Sequence, residues 1–184
     1  MNHDGANRES IVLGGGCFWC LDAVYRQVAG VSEVISGYAG GEMPNPSYLD
    51  VATKLTGHAE VVKLVFDPKI ITLADLLEIF WVVHDPTMKG RQLYDIGPEY
   101  RSIILYQNEE QRRIVEESLK SAQKLYDKPI VTEVKSLSAF YEAEPEHQDF
   151  YSSGARPDYC QIVIDPKLAK LRQKFTARLK EPNT

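Results

Sequence analysis

Cysteine is scarce in this chain: three residues in 184. A secreted domain stapled by disulfides needs more of them and an even number. The three are therefore expected to be redox or catalytic thiols in a reducing compartment, which points to the cytoplasm. Basic charge is also short. Lys and Arg number 21 against 26 Asp and Glu, a formal net charge of -5, so no nucleic-acid-binding face is expected. No apolar run approaches the roughly 20 residues of a membrane-spanning helix, and no membrane contact is expected. The first ten residues lack the apolar centre of a secretory signal, and 1–9 read as a flexible N-terminus. Histidine is sparse and scattered, at His3, His58, His84 and His147. A structural zinc needs a second close pair of ligands, so no metal is expected.

What is present begins with Gly14-Gly15-Gly16-Cys17-Phe18-Trp19-Cys20, after the apolar run Ile11-Val12-Leu13. This reads as strand, glycine turn and helix, with Cys17 at the helix start. The unpaired N–H groups there carry partial positive charge, and a cysteine so placed is expected to lose its proton more readily. Cys17 and Cys20 have the spacing of a dithiol. Half a zinc site, or two thiols simply packed as small hydrophobes, are the other readings of that pair. Glu60 lies in Ala59–Phe66, whose alternation predicts a strand. It shares a face with Val62, Leu64 and Phe66. A carboxyl on an apolar face resists ionising and is a proton donor near a thiolate; a frayed strand end reaching water is the alternative. Tyr48 and Tyr100 sit in Gly/Pro-rich loops. His58 is a conceivable base for a Cys-His acyl-transfer enzyme but reads as structural or surface. Cys160 lies in an irregular stretch that could swing towards Cys17.

The elements are expected in the order βαββαβ, then αβ and a tail. Strands are predicted at 11–13, 31–38, 59–66, 102–106 and 130–134, with a short one at 161–164. Helices are predicted at 18–29, 72–83, 109–126 and 167–179. Residues 39–55 and 86–101 read as loops. Residues 136–184 read as an irregular tail ending in a basic helix. Four strands with two helices on one face make an α+β, ferredoxin-like α/β plait, in one catalytic domain over 1–184.

The motifs together resemble peptide methionine sulfoxide reductases of the A type. They are Gly16-Cys17-Phe18-Trp19, Gly37-Tyr38-Ala39-Gly40-Gly41, Pro44-Asn45-Pro46-Ser47-Tyr48, Thr56-Gly57-His58-Ala59-Glu60, His84-Asp85-Pro86, Asp95 to Ser102 and Glu146-His147-Gln148. The resemblance implies that Cys17 is the nucleophile, Glu60 the acid, and Phe18 and Trp19 the walls of a methyl pocket. It makes Tyr48 and Tyr100 hydroxyl donors to the sulfoxide oxygen and Asp95 a polar support. It implies selectivity for the S epimer, no bound cofactor, and electrons from thioredoxin. Cys160, after Tyr159, matches the family's resolving position. Cys20 stands where many members have glycine and is a second candidate resolver. A general thiol–disulfide oxidoreductase on Cys17 and Cys20, and a non-enzymatic binding module, remain open alternatives.

Overall fold

The computed structural model describes residues 7–182. Strand β1 (Glu9–Gly14) passes through the glycine turn into α1 (Phe18–Arg26), and β2 (Val31–Ala39) follows. Then come α2 (Tyr48–Ala52), β3 (Ala59–Phe66) and α3 (Leu73–Val83). A minimal hairpin, β4 (Arg91–Gln92) and β5 (Asp95–Ile96), precedes a 3-10 turn (Pro98–Tyr100) and β6 (Ile103–Tyr106). Beyond lie α4 (Glu109–Gln123), β7 (Glu133–Ser136) and β8 (Phe140–Glu142). The C-terminal part holds α5 (Phe150–Ser153), α6 (Pro157–Tyr159), a π-helical stretch (Cys160–Ile164) and α7 (Asp165–Phe175).

Six strands form one sheet in the order β7-β6-β1-β3-β2-β8. The neighbours from β6 to β8 are antiparallel, and β7 is parallel to β6. One face of the sheet carries the main core. Ile11, Leu13, Val62, Leu64 and Phe66 pack there against α1, α3, α4 and α7. The opposite face holds a smaller cluster of Val12, Ala39, Ala59, Val61, Ile103 and Leu105. This is a mixed α+β fold.

The sheet is curled, and chain geometry forces it. β7 and β8 occupy opposite edges of the sheet, yet Ser136 and Phe140 are joined by residues 137–139 alone. Four Cα steps reach at most about 15 Å. Five strand intervals of a flat sheet would span about 24 Å. The edges must therefore bend towards each other over the small-residue face, where Leu137 and Phe140 cover the smaller cluster. The close approach needs a glycine. A Cβ on Gly37 would stand 2.4 Å from the Phe140 ring and 2.5 Å from the Tyr141 carbonyl oxygen.

Several expectations are corrected. Residues 1–6 of the expected flexible N-terminus lie outside the described residues, and Glu9 already opens β1. The 39–55 loop contains α2, closed by a Ser47/Asp50 capping box. The 86–101 loop contains β4, β5 and a 3-10 turn. The strand expected at 130–134 begins only at Glu133, because Ile130 and Val131 donate instead to the Gln123 side chain and the Pro86 carbonyl. The strand expected at 161–164 is helical. Buried Cys160, Val163, Ile164, Leu168 and Leu171 run at helical spacing into α7, and Pro166 sits in that helix's first turn, where proline is tolerated. The segment expected to be irregular over 136–184, of which residues 183 and 184 lie outside the described residues, is ordered over 136–182: β8 joins the sheet and most of the remainder is helical. The helix expected over 109–126 ends at Gln123, and Leu125 beyond it is exposed.

Replacing Gly37 by alanine should lower the unfolding free energy by about 1–3 kcal/mol, the usual cost of overpacking. Urea unfolding of Gly37→Ala checks this; an unchanged midpoint would mean that β8 is not held against β2.

Candidate active site

Cys17 is the N-cap of α1, with φ -58° and ψ 129°, and its side chain caps nothing. The turn before it is built by close packing. Gly16 has φ +97°, a left-handed conformation that favours glycine. A Cβ on Gly15 would lie 3.0 Å from the ring of His84. That ring is buried, and burial pulls its pKa down to about 3. The Phe80 carbonyl can only accept, so His84 Nδ1 carries the proton towards it, at 2.5 Å. Nε2 then accepts from the Ser102 hydroxyl at 2.8 Å. His84 is a packed support for the turn.

Glu60 projects from β3 into the same place. Its side chain is buried with 3% exposure, and the Phe18 N–H, the first of α1, donates to Oε2 at 3.1 Å. Burial raises its pKa to about 8; the Phe18 N–H works against that shift, while the charges of Asp95 and Glu99 add to it. A neutral carboxylic acid at physiological pH is the result. Lys63 lies on the opposite face, over the Phe140 ring, as the alternation requires.

The thiol expectation needs correction. Cys17 is held well above the ordinary thiol value, first by burial, then by its neighbours Cys20 and Glu60. The leading N–H of α1 is aimed at Glu60. Cys20 is shifted the other way: the Cys17 thiol lowers it most, against burial, and the Lys167 charge and the Tyr159 hydroxyl help. All three cysteines are free and buried. Cys160 packs in the same core cluster as Cys17 and Cys20.

The aromatic residues form a layered wall. Phe18 is fully buried between Tyr38, with ring centroids 5.7 Å apart, and His147, at 5.5 Å. Trp19 stacks on Phe150 at 3.7 Å, and its indole N–H donates to His147 Nδ1 at 3.1 Å. His147 also stacks on Tyr48 at 4.4 Å. Tyr48 opens α2, and its backbone N–H donates to Glu144 Oε2 at 3.0 Å. The other Glu144 oxygen accepts from Tyr38 at 3.0 Å. Glu144, Glu146 and His147 bring ligand-type atoms within 4.8 Å of one another, but the Glu144 oxygens and His147 Nδ1 already hold the wall together.

Tyr48 and Tyr100 both sense the charges of Glu60 and Cys17 and are shifted upward, mainly by burial, Tyr48 to about 12. Both hydroxyls therefore keep their protons and can donate. Asp95 accepts from the Tyr159 hydroxyl at 2.9 Å, and that oxygen lies 3.9 Å from Cys20 Sγ. Cys17, Phe18, Trp19, Cys20, Tyr48, Glu60, Asp95 and Tyr100 thus converge. His58 does not. It precedes β3, and its ring is fixed by the Gly41 N–H at 3.0 Å and the Met43 carbonyl at 2.7 Å. Glu144 and Tyr159 were not singled out from sequence, and only the adjacency of Tyr159 to Cys160 hinted at either. His147 carried a motif but no position.

Glu60 makes stability pH-dependent. Folded, it holds its proton up to about pH 8; its ordinary value is 4.5. Between those values the folded state binds more protons than the unfolded one, so unfolding free energy falls as pH rises. Glu60→Gln should therefore gain stability relative to the parent between pH 5 and 8, with no further gain above. Urea unfolding of both at pH 5, 7 and 9 measures the difference; parallel profiles would reject a neutral buried carboxyl.

The model of the peptide methionine sulfoxide reductase family matches residues 9–179. Peptide methionine sulfoxide reductase MsrA of Saccharolobus solfataricus is 52% identical over 172 residues, covering 94% of this chain and 97% of that protein. Among solved structures, reduced Mxr1 from Saccharomyces cerevisiae superposes with a TM-score of 0.79 at 30% identity, over 85% of this chain and 90% of its own. Methionine sulfoxide reductase A of Corynebacterium diphtheriae gives 0.73 at 32% identity, over 84% and 77%. With the glycine-turn thiol, the buried carboxyl and the aromatic wall in one place, and with this agreement along nearly its whole length, the chain belongs to the peptide methionine sulfoxide reductase family.

Proposed function

We propose that this chain reduces methionine S-sulfoxide, free or within proteins, to methionine. Family membership supports the reaction. The observation that carries its assignment to this site is the protonated, buried Glu60 carboxyl tethered to the backbone N–H beside Cys17. A sulfoxide resists thiols because its oxygen leaves poorly. Glu60 gives the oxygen a proton while Tyr48 and Tyr100 donate hydrogen bonds to it, placing donors where charge develops. Cys17 sulfur attacks the substrate sulfur and passes its own proton to Glu60. The protonated oxygen then moves from the substrate sulfur to Cys17 sulfur: the substrate S–O bond and the new S–S bond break, a Cys17 S–O bond forms and methionine leaves. The balance is a thiol plus a sulfoxide giving a sulfenic acid plus methionine: Cys17 sulfur loses two electrons and the substrate sulfur gains them. Phe18 and Trp19 bury the substrate methyl. That contributes only about 0.8 kcal/mol, so its larger effect is to orient sulfur towards Cys17. Asp95 supports the polar side of the site.

A second thiol of the chain condenses with the sulfenic acid. Cys160 is the resolver in this reading, and thioredoxin the external dithiol that resets it. No bound cofactor is required, and three free thiols suit a reducing compartment such as the cytoplasm. Among the described residues no helix is long and apolar enough to cross a membrane. One catalytic domain suffices, and its core reads as a ferredoxin-like plait: the order β6-β1-β3-β2, with α1 and α3 as the connecting helices, supports that description. A general thiol–disulfide oxidoreductase on Cys17 and Cys20 would leave Glu60 and the tyrosines without a task.

Single-turnover release of methionine from a sulfoxide peptide tests the assignment. Cys17→Ser should release none. Glu60→Gln should slow release roughly a hundred- to ten-thousand-fold, the range of general acid catalysis. The parent rate should decline as pH rises through about 8, where Glu60 loses its proton. Undiminished release by Glu60→Gln, with no loss above pH 8, would remove Glu60 as the acid.

A further inference from the structure

The hairpin beside the site breaks the turn chemistry that its length demands. β4 and β5 pair Gln92 with Asp95, so Leu93 and Tyr94 alone make the turn. The turns that fit a two-residue hairpin need positive φ at the first of these positions, which glycine or asparagine supplies. Leu93 takes it, at φ +52°, and is the one apolar side chain at positive φ among the described residues. It gains no burial there: Leu93 and Tyr94 are 56% and 78% exposed. Strain that ends in exposed apolar surface serves no packing purpose and marks a functional position. The tip is nevertheless well held. The Gly97 N–H donates to the Gly90 carbonyl at 2.9 Å, the Arg91 guanidinium donates to the Leu93 carbonyl at 3.0 Å, and the Gln92 amide exchanges two hydrogen bonds with the Asp85 backbone.

This tip stands between two parts of the site. Gln92 packs on the turn before Cys17, where a Cβ on Gly16 would lie 3.0 Å from its side chain. Asp95 accepts from Tyr159 within the site. On the other flank, α2 carries Tyr48 into the aromatic wall, and its neighbour Leu49 is exposed, as is Leu55 beyond the helix. The Lys54 ammonium donates to the Ile96 carbonyl at 3.0 Å and ties that segment to the hairpin. Of the ten large apolar side chains exposed among the described residues, six belong to these two segments: Met43, Leu49, Leu55, Leu93, Tyr94 and Ile96. Apolar exposure is thus gathered beside the site rather than scattered singly.

Resting on the reductase reading above, we propose that the Leu93-Tyr94 tip, with Leu49 and Leu55 on the α2 side, is a docking lip that selects methionine sulfoxides flanked by apolar residues in a polypeptide. The occupant follows from reach. In that reading the substrate methyl enters beside Phe18 and Trp19, which leaves its main chain at the mouth. Each further residue of an extended chain advances about 3.3–3.6 Å, so the residues on either side of the sulfoxide fall over the flanking segments. Leu93 offers only apolar surface, and what it rewards is apolar surface. Free methionine sulfoxide has no neighbouring residue and gains nothing from the lip. Intact domains bury most of their apolar side chains, so a sulfoxide with apolar neighbours becomes available where a protein has loosened. The substrate class is a loosened or unfolded protein segment. The lip holds the chain equally before and during the reaction, so it lowers KM and leaves kcat unchanged.

The double variant Leu93→Gly/Tyr94→Asn removes the tip's apolar surface and gives the turn residues it favours, so its thermal midpoint should equal or exceed the parent's. Both proteins are assayed with a small dithiol on free methionine S-sulfoxide and on blocked tripeptides that set the sulfoxide between glycines or between leucines. In the parent, kcat/KM for the leucine peptide should exceed that for the glycine peptide about tenfold, the scale of burying one or two apolar groups, with the difference in KM. In the double variant that ratio should approach one, with the free amino acid and the glycine peptide unchanged. A parent ratio near one, a ratio that survives the double substitution, or an equal loss on every substrate would overturn the lip. So would a variant impaired only with a protein dithiol, which assigns the tip to the reductant, or a parent dimer that the variant loses, which assigns it to a second copy. Calorimetric binding of the matching methionine peptides, the products, needs no turnover. There the leucine peptide should bind the parent about tenfold more tightly than the glycine peptide, with a more negative heat-capacity change. A parent that reduces no sulfoxide counts against the reductase reading, while equal binding of the two product peptides overturns the lip on its own.

Discussion

One hydrogen bond organises the site: the Phe18 N–H to the Glu60 carboxyl. It joins the first turn of α1 to the start of β3, two elements 42 residues apart in sequence. A helix N-terminus normally offers its free N–H groups to an anion. Here the leading one is spent on a carboxyl that stays neutral because burial outweighs the donor. The same bond therefore anchors the carboxyl beside a thiol that burial keeps protonated. A resting Cys17 that keeps its proton is a poor target for stray oxidants, since the thiolate is the reactive form. Glu60 and Cys17 thus both begin protonated, which suits the proposed reaction, whose net balance neither takes up nor releases a proton.

Much of this was legible in the chain. The glycine turn, the N-cap position of Cys17 and the inward face of Glu60 follow from local pattern, because each depends on a turn or an alternation only a few residues long. The Thr72/Asp75 capping box and the end of α3 were equally local. The ionisation of Cys17 was not legible, since it depends on burial and on the Glu60 charge, 43 positions away in sequence, which no short window reveals. The 161–164 error has a plain cause. Gln161-Ile162-Val163-Ile164 is β-branched enough to suggest a strand, and the helical spacing that overrides it appears only when Cys160, Leu168 and Leu171 are included. The α2 capping box, Ser47-x-x-Asp50, was present in sequence and simply hidden among prolines and glycines.

The C-terminal third shows how context gives residues work that pattern cannot. Glu144 ties Tyr38 on β2 to the first N–H of α2. His147 sits between the Tyr48 and Trp19 rings and accepts the indole N–H. Gln148 bonds Ser36 through both ends of its amide, at 2.9 Å each. Three residues within five positions thus clamp the tail to β2 and to the Tyr48 and Trp19 rings. They can reach because residues 137–139 cross the curled face and deliver β8 to the β2 edge. Sheet curvature, which brings Phe140 against Gly37, thereby also delivers Glu144, His147 and Gln148 to their partners.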